Sequence, residues 1–569
     1  MTTLLHWLGT SAGTAAPMSC PNCAARIVPR PVLDATPPGA QPIRLSACDD
    51  CGVRFFGSVA VGDYAKDPPG GDAALAFYLQ QGANPGGMAV RLAALGRPAG
   101  TRYLEIGCGF GLGLDIARRT LGWEVAGFDP SPFAAAGRDL LGLPIEPRTL
   151  LPDDPLAGEF DVIHASEVLE HVADPLGLLR ILHHALRRDG TLVLTTPAAE
   201  LILPGTPEGL LIPLLSPGWH MVIQSAASLT ALLSQAGFTA VQVTREGAQL
   251  VALAGVAPCG PVADRGPYLA WLAAASVAVP ASSDLGIGLL ARLYREHSAA
   301  GAMSAAADAW DALNTAVTTR FGCGVTEFAR ASEASTLHAL MAREPLCLAG
   351  VLLHRGLEAL QRGEPAEDLL ADAVAAAQRL RTALRAIGSD DGDAEDVTFA
   401  ATKELTVIAA SRANAGIAER INALSAAGGA RHAEAAASAS FVTLVNRGAF
   451  DEARRVDAAM PPGWCSVAHA GTIRHADASV VYCRAVMELQ LADGRRDEAQ
   501  EWLKALRAAL LRSFAAGDTM PASILYWPAT EAAALGLRMS GSRRAATELV
   551  IEAQALAAQI AGFPARPAA

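Results

Sequence analysis

Four of the ten cysteines stand in two close pairs, Cys20-Pro-Asn-Cys23 and Cys48-Asp-Asp-Cys51-Gly52, with twenty-four residues between them. A two-residue spacer lets both thiolates of a pair point at one tetrahedral ion, and Gly52 permits the tight turn beneath it. The pattern predicts Zn2+ held by Cys20, Cys23, Cys48 and Cys51; chance spacing and a redox pair are the alternatives. Four thiolates would fill the ion's coordination shell, which makes it structural and not catalytic. Metal binding would also fold a segment too short and polar to build its own core. The scattered Cys108, Cys259, Cys323, Cys347, Cys465 and Cys483 read as small buried hydrophobes.

A second constellation begins at Tyr103-Leu-Glu-Ile-Gly-Cys-Gly-Phe-Gly-Leu-Gly, which reads as a short buried strand, a glycine loop, and a helix starting near Leu112. Gly107, Gly109 and Gly111 let the backbone approach a ligand and turn sharply. The next strand, Glu124-Val-Ala-Gly-Phe, ends in Asp129, where an acid can accept hydrogen bonds from ribose hydroxyls. The dinucleotide pattern G-x-G-x-x-G is not met, because Leu112 occupies the third glycine position. Glu105, two residues before the first glycine, would repel a pyrophosphate but suits an amino-acid ammonium or a water network beneath it. The expected ligand is S-adenosylmethionine.

Leu104-Glu-Ile-Gly-Cys-Gly-Phe-Gly, Gly127-Phe-Asp-Pro-Ser, Phe160-Asp-Val-Ile-His-Ala-Ser-Glu-Val-Leu-Glu-His and Leu186-Arg-Arg-Asp-Gly-Thr-Leu-Val-Leu-Thr-Thr-Pro follow one another in order. Together they resemble the class I S-adenosylmethionine methyltransferases, in particular the ubiquinone-biosynthesis-like branch. The resemblance implies that Glu105, Gly107, Cys108, Gly109 and Gly111 line the methionine and ribose, that Asp129 holds the ribose, and that Ser166 and Glu167 lie beside the methionine. Members often place an acid after the third strand for the adenine amine. Here that region is Arg148-Thr-Leu-Leu, which leaves Asp153 or backbone groups for the contact. The cysteine pairs ahead of this domain look like those of bacterial methyltransferases of glycan and secondary-metabolite pathways. They are also similar in outline to ribosomal-RNA methyltransferases with a zinc ribbon.

Methyl transfer to a hydroxyl requires loss of its proton, to a base or with the help of a metal. The candidates are Glu167, Glu170 and His171 after the fourth strand, and His220 in the insertion Ala198–Met221 after the fifth. That insertion leaves a strand's carboxyl end, where open α/β sheets bind ligands, and reads as a substrate lid. His171 and His220 are also compatible with packing roles. Related ubiquinone-type enzymes associate such Glu and His positions with a divalent ion, which the resemblance makes an expectation for Glu167, Glu170 and His171.

These residues need elements to position them, and 569 residues exceed one core, which stops growing near roughly 250–300. The fold class expected is multidomain: a zinc ribbon over 18–66, a Rossmann-like, seven-stranded α/β methyltransferase domain over 70–257, and an all-α helical-hairpin domain over 262–565. Hydrophobic residues make up 51% but aromatics only 5%, so small aliphatic side chains carry the apolar content and favour helix in the last zone. There, turn glycines such as Gly363, Gly448, Gly494 and Gly541 separate paired helices at uneven spacing. This resembles degenerate tetratricopeptide-type hairpins, with a plain bundle as the alternative. The zone would serve as a docking surface for a protein partner.

The net charge of −12, with only three lysines (Lys66, Lys403, Lys504), argues against a broad grip on nucleic acid. No run matches a membrane span or a signal peptide, so a cytoplasmic location is expected. The function expected is methyl transfer to a small-molecule or glycan acceptor, at oxygen. The alternatives are RNA methylation with the ribbon as reader, or a non-catalytic cofactor-binding scaffold.

Overall fold

The computed structural model describes residues 3–8, 16–57, 62–152, 154–204, 206–255, 264–328, 336–411, 430–460 and 476–515. The two cysteine pairs lie on the turns of a small all-antiparallel region. Short strands β2 (Met18–Ser19) and β3 (Arg26–Ile27) pair beside the first knuckle. A five-stranded sheet follows in the order β1 (Leu4–Trp7), β4 (Arg30–Thr36), β5 (Ile43–Ala47), β6 (Arg54–Phe56) and β12 (Val222–Ile223).

Two of those strands lie outside the 18–66 segment. So short a ribbon cannot bury a core alone, and it borrows apolar surface from the chain after the fifth methyltransferase strand. Val222 joins Cys20, Ile27, Cys48, Val53 and Phe55 in one buried cluster. On the sheet's other side Leu33, Leu45 and Phe56 pack with Leu211, Leu214, Leu215 and Ile223.

The α/β region forms a seven-stranded sheet. Its parallel strands are β7 (Arg102–Ile106), β8 (Glu124–Phe128), β9 (Ile145–Glu146), β10 (Phe160–Ser166) and β11 (Leu186–Pro197); the closing hairpin is β13 (Val241–Glu246) and β14 (Gln249–Gly255). The order β13-β14-β11-β10-β7-β8-β9 puts β7 and β10 side by side at the centre, with Ile163 level with Leu104. Only β14 runs antiparallel to its parallel neighbour β11. The reversal of strand order between β7 and β10 leaves a crevice at their carboxyl ends, the usual ligand position in open α/β sheets. The helix after the glycine loop spans Leu112–Leu121, where sequence places it.

By its contacts the chain divides into two compact units, Met1–Glu364 with Ala375–Val397, and Pro365–Val374 with Thr398–Ala569. The first therefore runs past the 257/262 boundary read from composition. Helices Gly266–Ser276 and Asp284–Ala299 explain this, because Tyr268, Trp271, Leu272, Leu285 and Leu289 pack with Phe110, Leu112 and Ile116 behind the glycine loop. Trp271 donates its indole N–H to Asp115 at 2.9 Å, a buried pairing that fixes its helix on the one that follows the glycine loop.

Within the second unit, helices Ala430–Asn446 and Phe450–Ala459 meet around Gly448, and Ala476–Ala492 and Arg496–Ala515 meet around Gly494. Phe441, Tyr482, Trp502 and Leu506 lie in its core. Asp153, Cys259, Cys465, Gly541 and the stretch from 516 to the expected boundary at 565 lie outside the described residues. Among the described residues, no helix is long and apolar enough to cross a membrane.

Candidate functional site

The glycine loop leaves β7 under tight steric control. Gly107 has φ +66°, and a Cβ there would stand 2.3 Å from Val168 Cγ2, so no side chain fits. The loop is also pressed from outside, since a Cβ on Gly137 would stand 1.8 Å from the Phe110 carbonyl oxygen. Asp129 completes the cradle from the end of β8: Gly109 N–H donates to its Oδ2 at 2.7 Å and Ser131 N–H to its Oδ1 at 2.7 Å. Each carboxylate oxygen keeps a further lone pair for a ligand hydroxyl.

The other residues expected at this cradle divide. The Cys108 side chain is buried among Leu114, Leu143 and Ile145, so only its backbone reaches the loop. The Glu105 side chain lies beneath the loop, 3.4 Å from His164 Nδ1. Its Oε2 and His164 Nε2 are buried without a protein partner. Tyr78, which sequence reasoning passed over, sits on the π-helical turn Tyr78–Gly82; a Cβ on Gly109 would stand 3.1 Å from its hydroxyl. Beyond β9, Arg148 pairs with Asp154 at 2.8 Å and lies over the Phe128 ring at 4.7 Å.

At the end of β10 the chain turns through Glu167, which has a left-handed φ of +55°. Strain of this kind at a non-glycine residue is characteristic of functional turns. Thr195 Oγ1 and Gln249 Nε2 both donate to Glu167 Oε1, at 3.1 and 3.0 Å, and Ser166 Oγ meets Thr195 Oγ1 at 2.7 Å. Burial pushes the Glu167 carboxyl up to about 7.

The 3-10 turn Leu169–His171 follows and carries Glu170 inward. Thr196 Oγ1 donates to Glu170 Oε2 at 2.9 Å, while Oε1 is buried with no hydrogen-bond partner. Burial, and then the neighbouring Glu167 charge, raise this carboxyl well above its ordinary range. His220 arrives from the expected lid. There the Pro213-containing helix Glu208–Leu215 is largely buried, and its Gly209 N–H donates to Glu395 Oε2 at 2.6 Å. The insertion is thus a packed wall anchored at its helix N-terminus.

The structure gathers Glu170, His171 and His220, with one donor atom from each lying within 4.8 Å of the others. His171 Nε2 is 3.8 Å from Glu170 Oε1, and the two imidazole centroids are 4.6 Å apart. Each ring is held through Nδ1. His220 Nδ1 lies 2.8 Å from the Leu214 carbonyl and His171 Nδ1 3.3 Å from the Trp219 carbonyl. A carbonyl only accepts, so the short bond places the hydrogen on His220 Nδ1 and leaves its Nε2 lone pair free; His171 Nδ1 also meets the Tyr64 hydroxyl at 2.5 Å, and a hydrogen on that nitrogen would leave its Nε2 free likewise. Burial pushes His171 down to about 4 and His220 well below its ordinary value, so both are neutral at pH 7. Two neutral imidazoles and an orphaned carboxylate oxygen form a suitable donor set for a divalent cation. Sequence grouped Glu167 with Glu170 and His171 for such an ion. The structure instead turns Glu167 toward Thr195 and Gln249 and brings His220 to the other two.

The cysteine sulfurs form a second cluster. Cys20 Sγ lies 3.8 Å from Cys51 Sγ, and Cys23 Sγ 3.9 Å from Cys48 Sγ. A tetrahedron with Zn–S bonds of about 2.3 Å has edges of about 3.8 Å, so the four residues fit that ion.

A family model described as a methyltransferase domain matches residues 83–243. The chain is 43% identical over 104 residues to a ubiquinone biosynthesis O-methyltransferase of Ruegeria pomeroyi, covering 17% of this chain and 42% of that one. It is 35% identical over 161 residues to the enzyme of the same description from Ruegeria sp. TM1040, covering 25% of this chain and 62% of that one. The match thus spans less than two thirds of these relatives. A solved S-adenosylmethionine-dependent methyltransferase from Mesorhizobium loti aligns at 22% identity over 30% of this chain and 99% of its own, with a TM-score of 0.26. Residues 83–243 are a methyltransferase domain of the class I, S-adenosylmethionine-dependent family.

Proposed function

We propose that the protein methylates a hydroxyl oxygen of a small acceptor, with S-adenosylmethionine in the Gly107–Gly111 loop and a divalent cation at Glu170, His171 and His220. The observation that carries this is the trio itself: one donor atom from each of Glu170, His171 and His220 lies within 4.8 Å of the others, and Glu170 Oε1 is buried with no hydrogen-bond partner. The relatives named for O-methylation support oxygen as the acceptor atom.

Asp129 receives the ribose hydroxyls, and the glycine loop aligns the sulfonium for in-line displacement, where alignment contributes much of the rate. The acceptor oxygen forms its bond to the methyl carbon as the C–S bond breaks, and S-adenosylhomocysteine leaves. Glu170, His171 and His220 would hold the cation, which would supply Lewis acidity that lowers the pKa of the acceptor hydroxyl, whose proton would leave to solvent. The Nδ1 hydrogen bond to Leu214 fixes His220 in the tautomer that would serve this chemistry. Cys20, Cys23, Cys48 and Cys51 hold a structural Zn2+ that fixes the adjoining wall.

The test is methyl transfer from labelled S-adenosylmethionine to a vicinal-diol acceptor panel of catechols and sugars. Turnover should be abolished by a chelator too weak to strip thiolate-bound zinc, and restored by Mg2+ or Mn2+. Turnover indifferent to that chelator would refute the cation's role.

A further inference from the structure

The cysteine ribbon reaches the trio along two routes. The first runs through β12, which pairs with β6 so that Val222 faces Phe55 and Ile223 faces Arg54. At one end of this segment, Met221 N–H donates to the Glu170 carbonyl at 2.7 Å, next to His220. At the other, Gln224 Nε2 donates to Asn22 Oδ1 at 2.8 Å, inside the first cysteine knuckle. Ser225 Oγ is 3.5 Å from the Cys51 carbonyl, and a Cβ on Gly52 would stand 2.8 Å from that hydroxyl. The residues from 220 to 225 thus carry His220 at one end and close on both knuckles at the other.

The second route is the chain that leaves the ribbon. Gly62 lies against the Trp219 indole, and the Tyr64 ring packs on Trp219 with centroids 5.4 Å apart. Tyr64 Oη meets His171 Nδ1 at 2.5 Å, and the two rings meet edge to face at 5.2 Å. Whichever of the two carries the hydrogen, the Tyr64 hydroxyl at Nδ1 holds the ring with Nε2 toward Glu170, 3.8 Å from its Oε1. The carbonyl contact alone, at 3.3 Å, is long for a hydrogen bond.

We propose that Tyr64 is a positioning residue for His171, and that the ribbon which delivers it is a wall of the acceptor site and not a separate recognition module. The proposal rests on the reading of Glu170, His171 and His220 as a cation site. Partners of this outer kind, donating to or accepting from a ligand's second nitrogen, fix ring orientation and basicity.

The test uses the full-length, zinc-loaded protein with Mn2+ as probe, followed by electron paramagnetic resonance. Mn2+ prefers oxygen and nitrogen donors and leaves thiolate-bound zinc in place. Tyr64→Phe keeps the ring against Trp219 and removes only the hydroxyl. It should weaken Mn2+ binding by about tenfold or more, with S-adenosylhomocysteine affinity and zinc content unchanged. Asn22→Ala, which cuts the knuckle's bond to Gln224 without removing a cysteine, should weaken Mn2+ binding in the same direction. Wild-type Mn2+ affinity in Tyr64→Phe would overturn the positioning role while leaving the trio standing. Unchanged affinity in Asn22→Ala alone would overturn the ribbon's part. Absence of Mn2+ binding in the wild type, or its persistence in Glu170→Gln, would overturn the cation reading and Tyr64's role with it.

Discussion

Glu170→Gln should reduce methyl transfer by about 10²-fold or more while leaving S-adenosylmethionine affinity unchanged. Glutamine matches glutamate in shape and can still accept the Thr196 hydroxyl, so the fully buried position loses little packing. What changes is the atom facing the imidazoles. The unpartnered Oε1 becomes either a neutral oxygen or an amide that donates toward the Nε2 lone pairs, and neither holds a divalent cation as a carboxylate does. Asp129 and the glycine loop are untouched, so cofactor binding persists. Parallel measurement of turnover and calorimetric cofactor affinity separates the two effects. Equal turnover in variant and wild type would show that Glu170 is only a core residue.

Removal of the cysteine-bound metal has the other large effect. Cys48→Ser should abolish zinc retention, expose 16–57 to proteolysis and lower turnover by about tenfold or more. In small metal-folded segments the binding free energy, about 10–16 kcal/mol for structural zinc peptides, is the folding free energy. Here Cys20 and Cys48 lie in the same buried cluster as Val222, so loosening the knuckles frees β12 and, with it, His220. The apolar contacts of Leu33, Leu45 and Phe56 with the helix Glu208–Leu215 should keep part of the sheet docked. Cofactor affinity should stay within about twofold of wild type, because Asp129 and Gly109 lie outside this region; by the affinity relation a twofold change is only about 0.4 kcal/mol. Zinc content, limited proteolysis and turnover are the three readouts. A zinc-free variant with full turnover would contradict the coupling.

Where the candidate site is local in the chain, the sequence marked its scaffold. The buried run Tyr103–Ile106, the glycines after it and Asp129 at the next strand end form one strand-loop-helix-strand unit, whose local structure follows from spacing alone. The knuckle cysteines are equally local. Glu170, His171 and His220 were each visible as candidates, but their meeting in one cluster came into view only through the fold, because a whole strand and the anchored helix intervene.

Side-chain direction was the second loss. Glu105 and Cys108 stand in the cofactor motif, yet their side chains turn under the loop, toward His164 and into the core. The third was long-range pairing between very short elements. β12 has two residues and too little pattern to signal a strand, and Leu4–Trp7 carries no sign of its place beside β4. Tyr64 carries no sign in the sequence of the Trp219 and His171 rings that close on it. The helices around Trp271 read as part of a separate zone because composition reports helix content and not what a helix covers.

The central claim is that the loop Gly107–Gly111 and Asp129 bind S-adenosylmethionine, and titration calorimetry on wild type and Asp129→Ala tests it most directly. The carboxylate would accept charge-assisted hydrogen bonds from the ribose, each contributing about 1.5–3 kcal/mol, and it also ties Gly109 in place. The account predicts micromolar-class binding in the wild type and affinity lost or weakened by about 10²-fold in the variant. Equal affinity in the two proteins would contradict it.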